Sequence, residues 1–235
     1  MKGEIYIKMQ WNNYKQLILQ EGYSNIFKAI GITLLLLILG FSFFAKLGFI
    51  VILALLWIYR NNLSIAYNPP NLENTIYAPI DGKIAGIDQV DGVYKVYIDV
   101  NLCNNHILLA PIKGNFAVLS LTNGLNLSSW TFKGKLLNNK AILSFTDSEN
   151  EITKITAISG VCATKITIDQ SIKGVQTRDK IGLFIQGTII LELPKTYELK
   201  VKIGEKLFGG ISVIACKIES LDKLQDDLKG ESISE

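Results

Sequence analysis

Few side chains in this 235-residue sequence are equipped for chemistry near neutral pH. His106 is the sole histidine, and it alone has an unperturbed pKa that allows proton transfer in that range. It opens the apolar stretch His106-Ile-Leu-Leu-Ala-Pro-Ile-Lys-Gly114, where a lone histidine more often serves packing than catalysis. Asp81 lies in Tyr77-Ala-Pro-Ile-Asp-Gly-Lys-Ile84; the Pro before an Asp-Gly pair places its carboxylate at a strand–turn junction. Taken alone, that pair marks only a turn. A third stretch, Asp179 to Pro194, reads as a strand, a Gly187-Thr188 step and a second strand ending at proline. Gly-Thr within β structure most often marks a bulge or turn. Cys103, Cys162 and Cys216 are odd in number, far apart and in no Cys-x-x-Cys pair, which argues against a disulfide framework or a zinc ribbon. One histidine removes the His-based metal centres, so no metal is expected. Arginine occurs only at Arg60 and Arg178, leaving few bidentate phosphate clamps.

The elements that must position these residues follow from composition. Hydrophobic residues make up 49% and charged residues 19%, with a mean hydropathy of +0.28. That excludes a disordered chain and points to membrane contact. A net charge of +3 without basic clusters excludes a nucleic-acid binder. From Ala29 to Tyr59 the residues are apolar almost without break, interrupted mainly by Lys46 and Gly48. A continuous helix there would span about 46 Å, against a hydrocarbon core of roughly 30 Å. The segment therefore predicts one long tilted span with Lys46 snorkelling, or a hairpin of two short helices turning at Ala45-Lys46-Leu47-Gly48. The hairpin is the preferred form. Lys2, Lys8, Lys15, Lys28 and Arg60 flank the segment with positive charge, as cytoplasmic flanks do. A cleaved signal peptide fits poorly, because the apolar stretch is too long. Residues 7–28 carry Ile7, Trp11, Tyr14, Leu17, Ile18, Tyr23 and Phe27 among polar partners, which suits an amphipathic interfacial helix or an ordinary packed one.

Asn68-Pro69-Pro70-Asn71 ends any helix and marks a boundary. Beyond it, runs such as Tyr94 to Val100, Ala141 to Phe145 and Ile152 to Thr156 are rich in Val, Ile, Thr and aromatics. Asp91-Gly92, Asn123-Gly124, Lys173-Gly174 and Gly209-Gly210 read as turns between them. Strands without helical spacers predict a mainly β fold, an antiparallel sandwich or barrel-like domain, preceded by an N-terminal hydrophobic helical membrane anchor. The expected segments are an amphipathic stretch at 1–28, the anchor at 29–60, the β domain at 71–218 and a polar tail at 219–235.

The order and wording of the three chemical stretches resemble the phosphatidylserine decarboxylase family, pyruvoyl-dependent enzymes of phosphatidylethanolamine synthesis. Asp81-Gly82 matches the family's Asp-Gly near the start of its β domain. His106-Ile-Leu-Leu-Ala-Pro-Ile-Lys-Gly114 is similar to its His-Val-Asn-Arg-Ala-Pro-x-x-Gly, with histidine and Ala-Pro at the same offset. Ser159-Gly160 through Pro194 resembles the segment around its cleavage site, and Val201 to Ala215 its closing glycine-rich turn. Glu21-Gly22-Tyr23, the hydrophobic stretch and Tyr59-Arg60-Asn61 resemble the short, membrane-anchored bacterial form, so the likeness covers nearly the whole chain. There are departures: Thr188 replaces the self-cleaving serine, and Leu108-Leu109 replaces Asn-Arg. Asn138-Asn139-Lys140 stands for Asn-Glu-Arg, and Thr164-Lys165 for a segment with a paired arginine.

The resemblance implies that the Thr188 hydroxyl attacks the Gly187 carbonyl, with His106 as base and Asp81 orienting it. The chain then splits between Gly187 and Thr188 and leaves a covalent ketoacyl group: pyruvoyl from serine, 2-oxobutanoyl from threonine. That ketone takes the substrate's amine and acts as electron sink while CO2 leaves. Lys140 and Lys165 fall where substrate-binding charge is expected. The implied partners are the membrane, its phosphatidylserine and the chain's own two cleavage fragments, with homo-oligomers open and no nucleic acid. The implied location is the cell membrane with the β domain on its cytoplasmic face. Two other readings stay open: a catalytically inactive membrane-anchored relative that binds lipid or a protein partner, and a lipoyl-like carrier, which leaves His106 unexplained.

Overall fold

The structure, a computed structural model, describes residues 18–60, 74–162 and 165–218. They fall into two compact units divided after residue 67. The expected boundary at residues 68–71, the amphipathic stretch up to residue 17, Thr164 and the tail at 219–235 lie outside the described residues.

The first unit is a helical hairpin of α1 (Gln20–Ile38) and α2 (Ser42–Ile58). Its open end is tied by the Leu19 N–H donating to the Tyr59 carbonyl at 2.9 Å and by a bridge between Ile18 and Arg60. The turn falls at Gly40, not at the expected Ala45–Gly48. Gly40 takes φ +78°, and the Phe41 and Gly40 N–H groups donate to the Leu36 and Leu37 carbonyls. That is a Schellman C-cap, which needs a residue free of Cβ strain. Gly48 serves packing instead. A Cβ there would stand 2.4 Å from Thr33 Oγ1, so glycine is what lets the helices touch. The outer faces are apolar, with Ile38 78% and Phe43 75% exposed. Among the described residues, α1 alone is long and apolar enough to cross a membrane, and α2 is shorter.

The second unit is mainly β. In chain order its strands are β1 (Thr75–Tyr77), β2 (Gly82–Val90), β3 (Val93–Val100), β4 (Ile107–Leu109), β5 (Gly114–Thr122), β6 (Lys140–Thr146) and β7 (Ile152–Ser159). Then come β8 (Thr167–Ile168), β9 (Gly174–Val175), β10 (Lys180–Leu183), β11 (Gly187–Leu193), β12 (Tyr197–Leu199), β13 (Lys206–Leu207) and β14 (Val213–Lys217). One short helix, α3 (Phe132–Leu137), lies between β5 and β6. Eight strands form one sheet in the order β13-β2-β3-β11-β7-β6-β5-β9, and two three-stranded sheets run β1-β14-β12 and β4-β10-β8. Every ladder between these strands is antiparallel. The large sheet ends at β13 and β9 without closing, so the barrel-like alternative is corrected to open sheets.

Period-2 burial explains the strands. Val96, Ile98 and Val100 of β3, Ile155 and Ala157 of β7, and Ile189, Leu191 and Leu193 of β11 are buried on one face. Each large side chain so buried contributes roughly 1.5–3 kcal/mol. Asp91 and Gly92, at φ +52° and +78°, join β2 to β3 in the hairpin turn whose two central residues both need positive φ. Gly209-Gly210 is also a turn. The other two expected turns are not: Gly174 opens β9, and Gly124 sits where a Cβ would be 2.1 Å from the Leu137 carbonyl oxygen.

Candidate active site

Antiparallel register brings Thr188 to the end of the large sheet at which β2, preceded by Asp81, begins. Gly187 is the first residue of β11, opposite Val100 of β3 on one side and Ser159 of β7 on the other. It adopts φ +139°, and a Cβ there would lie 2.1 Å from the Ile158 carbonyl oxygen and 2.8 Å from the Gly160 nitrogen. Only glycine fits that conformation and that space. The Gly-Thr step, expected as a bulge or turn, is therefore the start of a regularly paired strand squeezed between two neighbours.

Thr188 follows, opposite Asp99 and Ile158. Directly paired residues share a face, so Lys83, Asp99, Thr188, Ile158 and Lys140 form one row across five strands. This row lies on the face away from Ile98, Ile189 and Ala157. Thr188 is nonetheless only 2% exposed, because the loop before α3 covers it. Its Oγ1 donates to Ser129 Oγ at 2.9 Å, and Ser129 is itself buried. The loop is pinned in place. Asn138 Oδ1 accepts from the Leu127 N–H at 2.8 Å, and its Nδ2 donates to the carbonyls of Leu127 and Ser159 at 2.6 and 2.7 Å. One amide thus ties the Ser129 loop to the residue facing Gly187.

Asp81 stands just before β2, whose second residue, Lys83, pairs with Asp99. Its Oδ1 accepts from the Gly209 N–H at 2.7 Å and its Oδ2 from the Asn105 N–H at 3.4 Å. The carboxylate therefore links the glycine turn to the residue preceding His106. His106 is 2% exposed, and its carbonyl accepts from the Phe184 N–H at 2.9 Å, four residues before Thr188. The segment then pairs on as β4 with β10, Ile107 opposite Leu183. So the stretches holding Asp81, His106 and Thr188 are stitched to one another, the first through the Asp81 carboxylate and the second through the His106 carbonyl.

Lys140 is half-buried at the start of β6, two strands from Thr188 and about 10 Å away at ordinary strand spacing. Lys165 is not in that row. It is exposed, two residues before β8, beyond a turn whose Gly160 and Cys162 N–H groups donate to the Gln186 carbonyl and Oε1 at 2.9 and 2.8 Å.

Two neighbours of Thr188 were not found by sequence reasoning. Asp99 lies in an ordinary-looking strand, and Ser129 in a loop with no motif. Nothing local marks either. Among the described residues, no three His, Cys, Asp or Glu side chains gather in a way that could hold a metal ion. A cavity of about 790 Å³ lies at the other end of β6, between the turns at residues 112–115 and 146–149, and contains none of these residues.

The family pattern described as phosphatidylserine decarboxylase matches residues 57–215, which include Asp81, His106, Gly187 and Thr188. The chain is similar to the phosphatidylserine decarboxylase proenzyme of Pelagibacter ubique (strain HTCC1062), at 25% identity over 84% of this chain and 95% of that protein. It is likewise similar to the protein of that name from Wolbachia pipientis wMel, at 25% identity over 83% and 89%, and from Ehrlichia chaffeensis (strain ATCC CRL-10679 / Arkansas), at 27% identity over 86% and 92%. No solved structure matches the chain. With the match spanning the whole sheet and both sides of the Gly187-Thr188 bond, the chain belongs to the phosphatidylserine decarboxylase family.

Proposed function

We propose that this chain is a proenzyme that cuts itself between Gly187 and Thr188 and then decarboxylates phosphatidylserine to phosphatidylethanolamine. The observation that carries the reading is the buried Thr188 hydroxyl, held by Ser129 directly after a glycine in a conformation other residues avoid. In the cut, Thr188 Oγ1 attacks the Gly187 carbonyl carbon and the Gly187–Thr188 C–N bond breaks, leaving an ester and a free amine. The Thr188 Cα proton then leaves as the Cβ–Oγ1 bond breaks, and Gly187 keeps that oxygen as a carboxylate. One water replaces the α-nitrogen, which departs as ammonia. His106 takes the proton at the first step, and Asp81 holds the backbone before it.

The site suits the product. A 2-oxobutanoyl group has the same four carbons as threonine, so it fits the buried space Thr188 fills. Bound there, such a ketone supplies an electron sink for the carboxylate's departing electron pair. Lys140 and Lys165 meet the acidic headgroup. In this reading residues 1–28 lie at the interface, 29–60 anchor the chain, 71–218 form the catalytic domain on the cytoplasmic face and 219–235 are a polar tail.

The test is the mass of the purified chain, compared with that of Thr188→Ala. The parent gives two fragments, one ending at Gly187 and one running from residue 188 with a ketone in place of its amine. Thr188→Ala stays whole. A parent that stays whole, in membranes that turn over no phosphatidylserine, overturns the proposal and leaves a lipid- or partner-binding relative.

A further inference from the structure

Helix α3 and the loop before it are built inside out. A surface helix ordinarily turns its apolar side chains to the core. In α3 the one buried residue is Gly134, where a Cβ would stand 1.9 Å from the Ser128 carbonyl oxygen. The large side chains point away: Phe132 is 77% exposed, Leu136 60%, Leu137 49%, and Trp130 in the preceding loop 47%. Leu125, also exposed, joins them through its N–H, which donates to the Leu137 carbonyl at 2.7 Å. The mount is firm. Thr131 caps the helix, its Oγ1 accepting from the Gly134 N–H at 3.0 Å and donating to the Ser128 carbonyl at 2.8 Å.

The charges in this region have one sign. From Gly114 to Thr146 the sequence holds Lys133, Lys135 and Lys140 and no Asp or Glu. Lys133 and Lys135 are exposed between the apolar residues of α3. A contiguous exposed apolar patch marks an interaction surface. Aromatics with interleaved lysines suit the boundary between headgroups and acyl chains, where rings sit at headgroup level and ammonium groups meet phosphates. Pairing the patch with a second copy of itself would set lysine against lysine.

We infer that residues 125–137 form a membrane-docking element that seats the β unit on an anionic bilayer, with Trp130, Phe132, Leu136 and Leu137 in the interface. It sits over the proposed nucleophile, since Ser129, adjacent to Trp130, holds the Thr188 hydroxyl. Its role in delivering substrate rests on the function proposed above. The docking itself does not. Lipid drawn to this surface arrives at the covering loop of Thr188 without first leaving the membrane.

The test uses the full chain with Trp11→Phe and Trp57→Phe, leaving Trp130 as its only tryptophan. The protein is reconstituted into phosphatidylcholine vesicles with or without phosphatidylglycerol, the acyl chains carrying bromine as a contact quencher. Docking predicts at least twofold quenching of Trp130 in the anionic vesicles. Lys133→Glu with Lys135→Glu should abolish most of it, as should high salt. The same pair should leave self-cleavage and turnover of a dispersed short-chain substrate unchanged, while lowering turnover of vesicle phosphatidylserine about tenfold. Unquenched Trp130, or quenching that ignores the lysine substitutions, overturns the inference; a Trp130 shielded by crosslinking to another protein does so in favour of a protein interface. If no substrate is turned over, the proposed function falls while the quenching still decides the docking.

Discussion

Replacing Thr188 by valine keeps the shape of the side chain and removes its hydroxyl. Ser129 Oγ, buried beside it, then loses its partner, and burial on both sides leaves no water to take its place. A buried hydroxyl stripped of its partner costs about 1–3 kcal/mol, whereas replacing both partners with apolar groups is close to neutral. Adding Ser129→Ala to Thr188→Val should therefore restore stability, an unusual sign for a second substitution at a buried site. For a unit of this size each kcal/mol moves Tm by about 2–4 °C, so the double variant should melt roughly 2–12 °C above Thr188→Val. Both proteins lack the hydroxyl that the proposed cleavage uses and are compared as the same uncut chain. Thermal denaturation of the detergent-solubilised protein, followed by circular dichroism, gives the two values. A double variant that melts at or below the single one would refute the claim that this hydroxyl pair holds the loop over β11.

Gly187→Ala should lower stability by about 3 kcal/mol or more, read as a lower urea midpoint in the uncut Thr188→Val background, because its methyl meets the Ile158 carbonyl oxygen at 2.1 Å in a left-handed conformation. His106→Ala should yield one uncut band on a gel where the parent gives two, and equal cutting rates would make His106 structural. Lys217 is buried against Glu149 and Glu151, and the hydrogen bond it donates to Glu149 holds its pKa above the ordinary lysine range despite burial. A raised folded value means that the pairing supports the fold fully below about pH 10.4 and is lost as pH climbs through the folded value. Tm measured from pH 9 to 12 should thus fall more steeply for the parent than for Lys217→Met.

The strands were legible in the sequence because alternation is local. Val96, Ile98 and Val100 announce a half-buried strand without reference to anything outside β3. Glycines were harder to read, since the residue is the same whether it turns a chain, caps a helix or makes room. Gly40 caps and Gly48 makes room, and the pattern around Lys46 suggested the opposite assignment. At the site, Asp81, His106 and Thr188 stood out through the wording of their own stretches. Ser129 and Asp99 did not, because what qualifies them is distance in the chain made good by folding. Ser129 meets Thr188 across 59 positions, and Asp99 comes beside it only once β3 and β11 choose their register.

Strand β11 is hydrogen-bonded on both edges, to β3 and to β7, and lies in the interior of the eight-stranded sheet. The cut proposed before Thr188 would sever the covalent thread and leave the rest of β11 paired with β3 and β7. The shorter piece supplies an interior strand to one sheet, and its β14 runs between β1 and β12 in another. The two pieces would be woven, so neither could depart without unravelling the other's architecture. The proposed scission would then follow folding, since the Gly187-Thr188 bond acquires its conformation between β3 and β7. Two halves synthesised from separate messages would have to thread together from the start, and the proposed ketone at position 188 would stay gripped where it forms by strands on either side.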